Sequence, residues 1–205
     1  SAAGSISSVS SNGAITDANS ADANYTAAVV TLRANSGIGS GDAIETATGE
    51  LDVINNGAGA STVEIDNTGD VLLTNLVNTG DIDFSNDTTV TVDRVDAGFT
   101  VGTFRLSVAN GSVFGVNRPG VDFLSVPDIT ADAASVTVSG AFGTLARPIV
   151  LRLNSEFFLA AAISSVVYLG GEPPIVNDTS DIKLSIIDSL NSVSGQRLIE
   201  IESLA

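Results

Sequence analysis

Residues 61–97 read STVEIDNTGDVLLTNLVNTGDIDFSNDTTVTVDRVDA, and this stretch decides the fold. A short alternating run, Val63 and Ile65, ends in Asn67-Thr68-Gly69-Asp70. The same punctuation returns eleven residues later as Asn78-Thr79-Gly80-Asp81, and two more alternating runs follow, Ile82 with Phe84 and Val90 with Val92. Each run is too short for a helix, and each is closed by turn-forming residues. The pattern predicts strands of a coil repeated along an axis, in which one rung buries its apolar side only against the next.

Composition agrees with this architecture. Of 205 residues, 43% are apolar and only 5% aromatic, with no Trp, Met, Cys or His, so the core must be built from Val, Ile, Leu and Ala with a few Phe. Small and β-branched side chains suit flat, stacked strand layers. The net charge of −16 argues against binding to DNA or RNA, whose phosphates need clustered cations, and against an anionic membrane surface. The absence of Cys removes disulfides, zinc–thiolate sites and thiol nucleophiles together. The chain opens on SAAGSIS without Met or a signal-type apolar core, and is read as a piece of a longer or processed protein. The most apolar segment, 157–170, is too short and too interrupted by Ser and Gly to span a bilayer.

Working outward from 61–97, two short rungs are expected within 1–28, separated by the Asn12-Gly13 turn. Strands follow at 29–33 and 50–54, with SGIGSGD (36–42) and NNGAG (55–59) as turns. On the C-terminal side, 104–108 alternates and closes on Asn110-Gly111. The segment 136–154 is similar to 30–55 in running strand, glycine loop, strand, Asn; its loop glycine Gly143 answers Gly39, which suggests a long repeat superimposed on the short one. After Gly171 the character changes. Glu172-Pro173-Pro174 cannot join a central strand, and Ile182, Ile186 and Leu190 fall on one helical face behind Asp181 as an N-cap. Residues 1–170 are therefore expected to form a β-solenoid, and 171–205 a cap or linker, partly helical. A β-sandwich of adhesin repeats is the alternative fold.

Alternation also assigns faces. With Val63, Ile65, Ile82, Phe84, Val90 and Val92 inward, Glu64, Asp66, Asp81, Asp83, Thr91 and Asp93 face solvent. Equivalent positions on neighbouring rungs lie about 4.8 Å apart, where carboxylates repel unless offset, screened or bridged by a cation. Inward Asn residues at the turns would form ladders of side-chain amides, each donating to the next.

Few motifs suggest chemistry. The Gly37-to-Asp42 loop superficially resembles a phosphate cradle but lacks the lysine and carries repelling acids, so it is read as a tight turn. Asp66, Asp70, Asp81, Asp83 and Asp87 are the candidate calcium ligands, without the spacing of an EF-hand or a calcium-binding β-roll, and calcium is the one ion considered. No cofactor is expected, and no catalysis. The outward acids are dispersed, and Arg94, Arg105, Arg118, Arg147 and Arg152 show no partners at fixed spacing. Thr89-Val90-Thr91 does not recur in register and is ordinary strand sequence. Asn24, Asn86, Asn110 and Asn177 fit the Asn-x-Ser/Thr pattern, which chance alone produces in such a composition.

The segments ITDAN (15–19), VTLRANSGIGSGDAIET (30–46), VEIDNTGDVLL (63–73) and AFGTLARPIVLRLN (141–154) resemble repeats of the large filamentous-haemagglutinin-like bacterial surface adhesins and biofilm-matrix proteins. The resemblance covers roughly residues 4–170, and the Asn-rich motifs of that family's secretion domain are absent. It implies a right-handed parallel β-helix acting as a secreted or cell-surface stalk. It also implies partners drawn from other copies or segments of the same fibre, extracellular polysaccharide, or a host or neighbouring cell surface. A calcium- or polysaccharide-binding module and a self-assembling fibre subunit are the alternative functions.

Overall fold

A computed structural model describes residues 4–57, 61–118, 126–144, 146–161, 167–169 and 183–188. The strands are β1 (Ser5–Val9), β2 (Tyr25–Ala34), β3 (Ile44–Asn55), β4 (Val63–Asn67), β5 (Val71–Val77), β6 (Ile82–Asn86) and β7 (Val90–Val92). They continue with β8 (Val95–Asp96), β9 (Thr103–Val108), β10 (Val113–Gly115), β11 (Ile129–Val138), β12 (Ile149–Ala161), β13 (Val167–Leu169) and β14 (Lys183–Asp188). Every pairing between these strands is parallel, and together they wind into a β-solenoid of about 7 turns. No helix occurs among the described residues.

The register explains why the alternation in the sequence is so regular. Ile15, Ile38, Val63, Ile82, Phe104, Ala134 and Phe157 stack as one column, each opposite its counterpart on the next turn. Ile44, Ile65, Phe84, Leu106, Val136 and Leu159 form a second. All thirteen side chains are buried. A residue one position out of phase would move its neighbours to the solvent face, so the apolar alternation fixes the pairing. In the first column Ala134 lies between Phe104 and Phe157, a large–small–large sequence that lets two rings fit at strand spacing.

The repeated Asn-Thr-Gly-Asp motif proves to mark two corners of one turn. Asn67 ends β4, and Asn78 lies between β5 and β6. A full turn near this point takes 19 residues from Asn67 to Asn86 and 22 from Asp83 to Arg105. Both Asn residues point inward, as expected of the amide ladders: Asn67 Nδ2 donates to Asn86 Oδ1 at 2.8 Å, and Asn55 Nδ2 donates to Asn78 Oδ1 at 2.8 Å. These amides satisfy corner backbone groups that the strand ladder leaves free. Asn67 Oδ1 accepts from Thr48 N, and Asn55 Oδ1 accepts from Gly37 N.

The longer repeat has a local structural basis. Ile38 and Phe142 are both buried residues in isolated parallel bridges, and each precedes a left-handed glycine, Gly39 (φ 67°) and Gly143 (φ 73°). Both glycine N–H groups donate to a carbonyl one turn back, Ile15 and Val113 respectively.

The tail differs from expectation. The helix predicted from Ile182, Ile186 and Leu190 is not formed over 183–188, which is instead strand β14, paired in parallel with β12. Within it, Leu184 and Ile186 have the two-residue period of a strand and stand opposite Phe157 and Leu159, so a further turn of the same ladder competes with the helical reading. Asp181, Ile182, Leu190 and the rest of 171–205 lie outside the described residues.

Candidate functional site

Strands β4, β6, β9 and β11 lie side by side, and their outward positions tile one face in two columns. Register aligns Glu64 with Asp83, Asp83 with Arg105, and Arg105 with Ser135. It likewise aligns Asp66 with Ser85, Ser85 with Ser107, and Ser107 with Thr137. These eight residues line a shallow open groove of about 320 Å³. Positions two apart on a strand are about 7 Å apart and successive turns about 4.8 Å, so the groove presents a polar grid on a rigid backbone.

The grid's charges are held in place. Arg105 reaches both Asp83 (3.2 Å) and Asp81 (3.3 Å) on the preceding turn. Burial alone would lower the Arg105 pKa, but its hydrogen bonds and charge interactions with Asp83 and Asp81 outweigh that and raise it. Glu64 accepts from Gly41 N at 3.2 Å and from Thr62 Oγ1 at 3.0 Å. Asp66 Oδ1 accepts from Ser85 Oγ. Neither Glu64 nor Asp66 forms an ion pair among the described residues.

The five candidate calcium ligands therefore have different surroundings. Asp66 and Asp83 line the groove, and Asp81 borders it through Arg105 while its Oδ1 accepts from Thr103 N at 2.9 Å. Asp87 and Asp70 fasten turns instead: Asp87 Oδ1 accepts from Gly69 N at 2.6 Å and Asp70 Oδ1 from Thr89 N at 3.1 Å.

A different trio comes closer together. One carboxylate oxygen from each of Asp17, Asp42 and Glu45 lies within 4.8 Å of the others, a separation compatible with oxygen ligands on a hard cation. Asn24 ties the trio to the coil, donating to Asp17 and accepting from Glu45 N at 2.7 Å. For Asp17, burial would raise the pKa, but hydrogen bonds from Asn24 and from the 18–20 backbone prevail and lower it. Burial raises Glu45, supported by the charges of Asp17, Asp42 and Asp66. The two carboxyls are thus driven apart, and Glu45 is the first to take a proton.

Of the arginines that showed no fixed-spacing partners in the sequence, Arg94 pairs with Asp96 two residues on, and Arg105 and Arg118 find acids farther away along the chain. Arg33 pairs with Asp52 and Arg105 with Asp83, while Arg118 bridges Asp93 and Asp128 at 2.6 Å each. Asp128 is 1% exposed and also accepts from Val150 N at 2.8 Å. Applying the turn length of about twenty residues to the charged positions would have located the Arg33 and Arg105 pairs. The Asp17–Asp42–Glu45 trio joins loop residues of two successive turns to Glu45 at the start of β3, and strand alternation does not address the loop residues. Of the glycosylation-type sequons, Asn86 is 3% exposed and bonded within the amide ladder, whereas Asn110 is exposed.

Compared with known protein families, curated proteins and solved structures, the chain matches none of them. Among the described residues, no helix is long and apolar enough to cross a membrane.

Proposed function

We propose that this chain is a stalk segment of a secreted or cell-surface fibre of the filamentous-haemagglutinin-like kind, working as a stiff acidic rod and not as a catalyst. The observation that carries this reading is the continuous axial stacking of buried columns. Single columns of buried residues run from Ile15 to Phe157, and each turn is hydrogen-bonded to the next along its strands. Bending such a coil would open backbone ladders and separate packed layers at the same time, so stiffness follows from its construction. About 7 turns at about 4.8 Å give a rod on the order of 35 Å long. The carboxylates facing outward keep the rod soluble and discourage lateral association.

Two measurements test the proposal. Antibody against the chain should label intact producing cells or the material between them; labelling that appears only after permeabilisation would remove the surface assignment. Far-ultraviolet circular dichroism should show a β-rich spectrum lost in a cooperative melt, and a largely unordered spectrum would remove the rod.

A further inference from the structure

We propose that the groove across β4, β6, β9 and β11 binds an amine-bearing glycan, a chain of linked sugars with free amino groups lying along the solenoid axis. This goes beyond the stalk reading and does not depend on it.

The sign of the occupant follows from charge. Three carboxylates line the groove against one guanidinium, and that guanidinium is already shared between Asp83 and Asp81. Glu64 and Asp66 have no cation among the described residues, and they occupy outward positions two apart on one strand. Both are pre-positioned by neutral donors, Glu64 by Gly41 N–H and Thr62, Asp66 by Ser85. Such a site attracts an ammonium group and repels uronates, sulfates and phosphates.

The polymer class follows from the rest of the grid. Ser85, Ser107 and Thr137 stand on three successive turns, with Ser135 beside Thr137, so hydroxyls that both donate and accept recur at the strand spacing. A chain of repeated hydroxyls can engage each turn in the same way. A basic peptide has less to gain here. The backbone groups of β6 and β9 are already paired with strands on both sides, so no strand can be added across this face. The outward strand side chains that line the groove are all polar or charged, and of the apolar residues at its floor Phe84 and Leu106 are buried, leaving only the small side chain of Ala43 for a peptide anchor.

Titration calorimetry of the folded chain at low salt, using a hexamer of glucosamine, tests the proposal. Binding is expected, weakening as salt is added. The fully N-acetylated hexamer and an oligogalacturonate should bind at least tenfold more weakly. The double variant Glu64→Gln/Asp66→Asn should lose at least tenfold in affinity without a fall in melting temperature, while Asp22→Asn, an exposed acid outside the groove, should bind as the parent does. No binding of the glucosamine hexamer would overturn the proposal, as would equal binding by the double variant. Equal binding of the N-acetylated hexamer would overturn the role of the amine. Equal or tighter binding of a lysine hexamer would replace the glycan with a basic peptide.

Discussion

Asn67 and Asn86 stand opposite each other in register on successive turns, both buried, and the amide of the first donates to the carbonyl oxygen of the second at 2.8 Å. The two residues carry unequal loads. Asn67 also accepts from Thr46 Oγ1 at 2.8 Å and from Thr48 N at 3.2 Å, whereas Asn86 Nδ2 donates to Thr88 O at 2.8 Å. Stranding a buried donor or acceptor costs about 1–3 kcal/mol. Asn67→Ala is therefore expected to destabilise the chain more than Asn86→Ala, because it strands the groups at Thr46 and Thr48 as well as Asn86 Oδ1. Equilibrium urea unfolding of the two variants checks this, and the reverse order would refute the division of roles.

Arg118 and Asp128 form the most buried ion pair of the structure's described part, with side chains 16% and 2% exposed. Removing one partner leaves an uncompensated charge, so Arg118→Met is expected to cost about 3 kcal/mol. The double variant Arg118→Met/Asp128→Asn should be less destabilised than the single one, since Asn retains an acceptor for Val150 N. Burial raises the Asp128 pKa against the opposing hydrogen bonds of Val150 and Arg118. Losing Arg118 should raise it further, and the carboxyl resonance of Asp128 followed by NMR titration would report that shift.

Two left-handed glycines separate backbone conformation from space. Gly69 (φ 97°) would place a Cβ in the open, whereas a Cβ on Gly39 (φ 67°) would lie 2.2 Å from Glu64 O and 2.9 Å from Ile44 N. Gly69→Ala should cost about 1–2 kcal/mol for its left-handed backbone alone. Gly39→Ala should cost more, because β4 would have to move away. Thermal melts decide it, and equal losses would mean that the close approach at Gly39 is relieved at little cost.

Glu45 gives a pH dependence with a definite sign. Burial and the charges of Asp17, Asp42 and Asp66 raise its folded-state pKa. The folded chain then holds that proton more tightly than the unfolded chain does. Stability from this group is therefore gained as pH falls through the folded pKa and is absent above it. Glu45→Gln should raise the melting temperature at pH 7, with the benefit disappearing below the ordinary glutamate value of about 4. A benefit that persists unchanged at pH 3.5 would contradict the assignment.

The strand pattern was legible in the sequence because burial inside a coil depends on a strict two-residue period, and Val63, Ile65, Ile82 and Phe84 obey it without exception. The inward Asn residues could be anticipated for a related reason: a tight turn within a stacked coil leaves backbone groups that need a side-chain amide. Contacts between turns were harder to see. Arg105 and Asp83 are 22 residues apart, and their meeting depends on the exact turn length, which corner insertions change. The trio of Asp17, Asp42 and Glu45 depends on loop paths that alternation does not describe. At β14, Ile186 fits a helical spacing with Ile182 and Leu190 and also a strand spacing with Leu184, and the available edge of β12 favours the strand.

Turn length varies along the coil while the ladder does not. Asn67 and Asn86 are 19 residues apart on adjacent turns, and Ser112 and Ala141 are 29 apart, yet the first pair ends the parallel strands β4 and β6 and the second adjoins the parallel bridge of Val113 with Phe142. The molecule is therefore a ruler graduated in turns, not residues. An insertion at an outer corner lengthens the gene without lengthening the reach, so surface loops can diversify freely while the distance spanned stays constant. Reach changes only when whole turns are duplicated or deleted, in steps of about 4.8 Å.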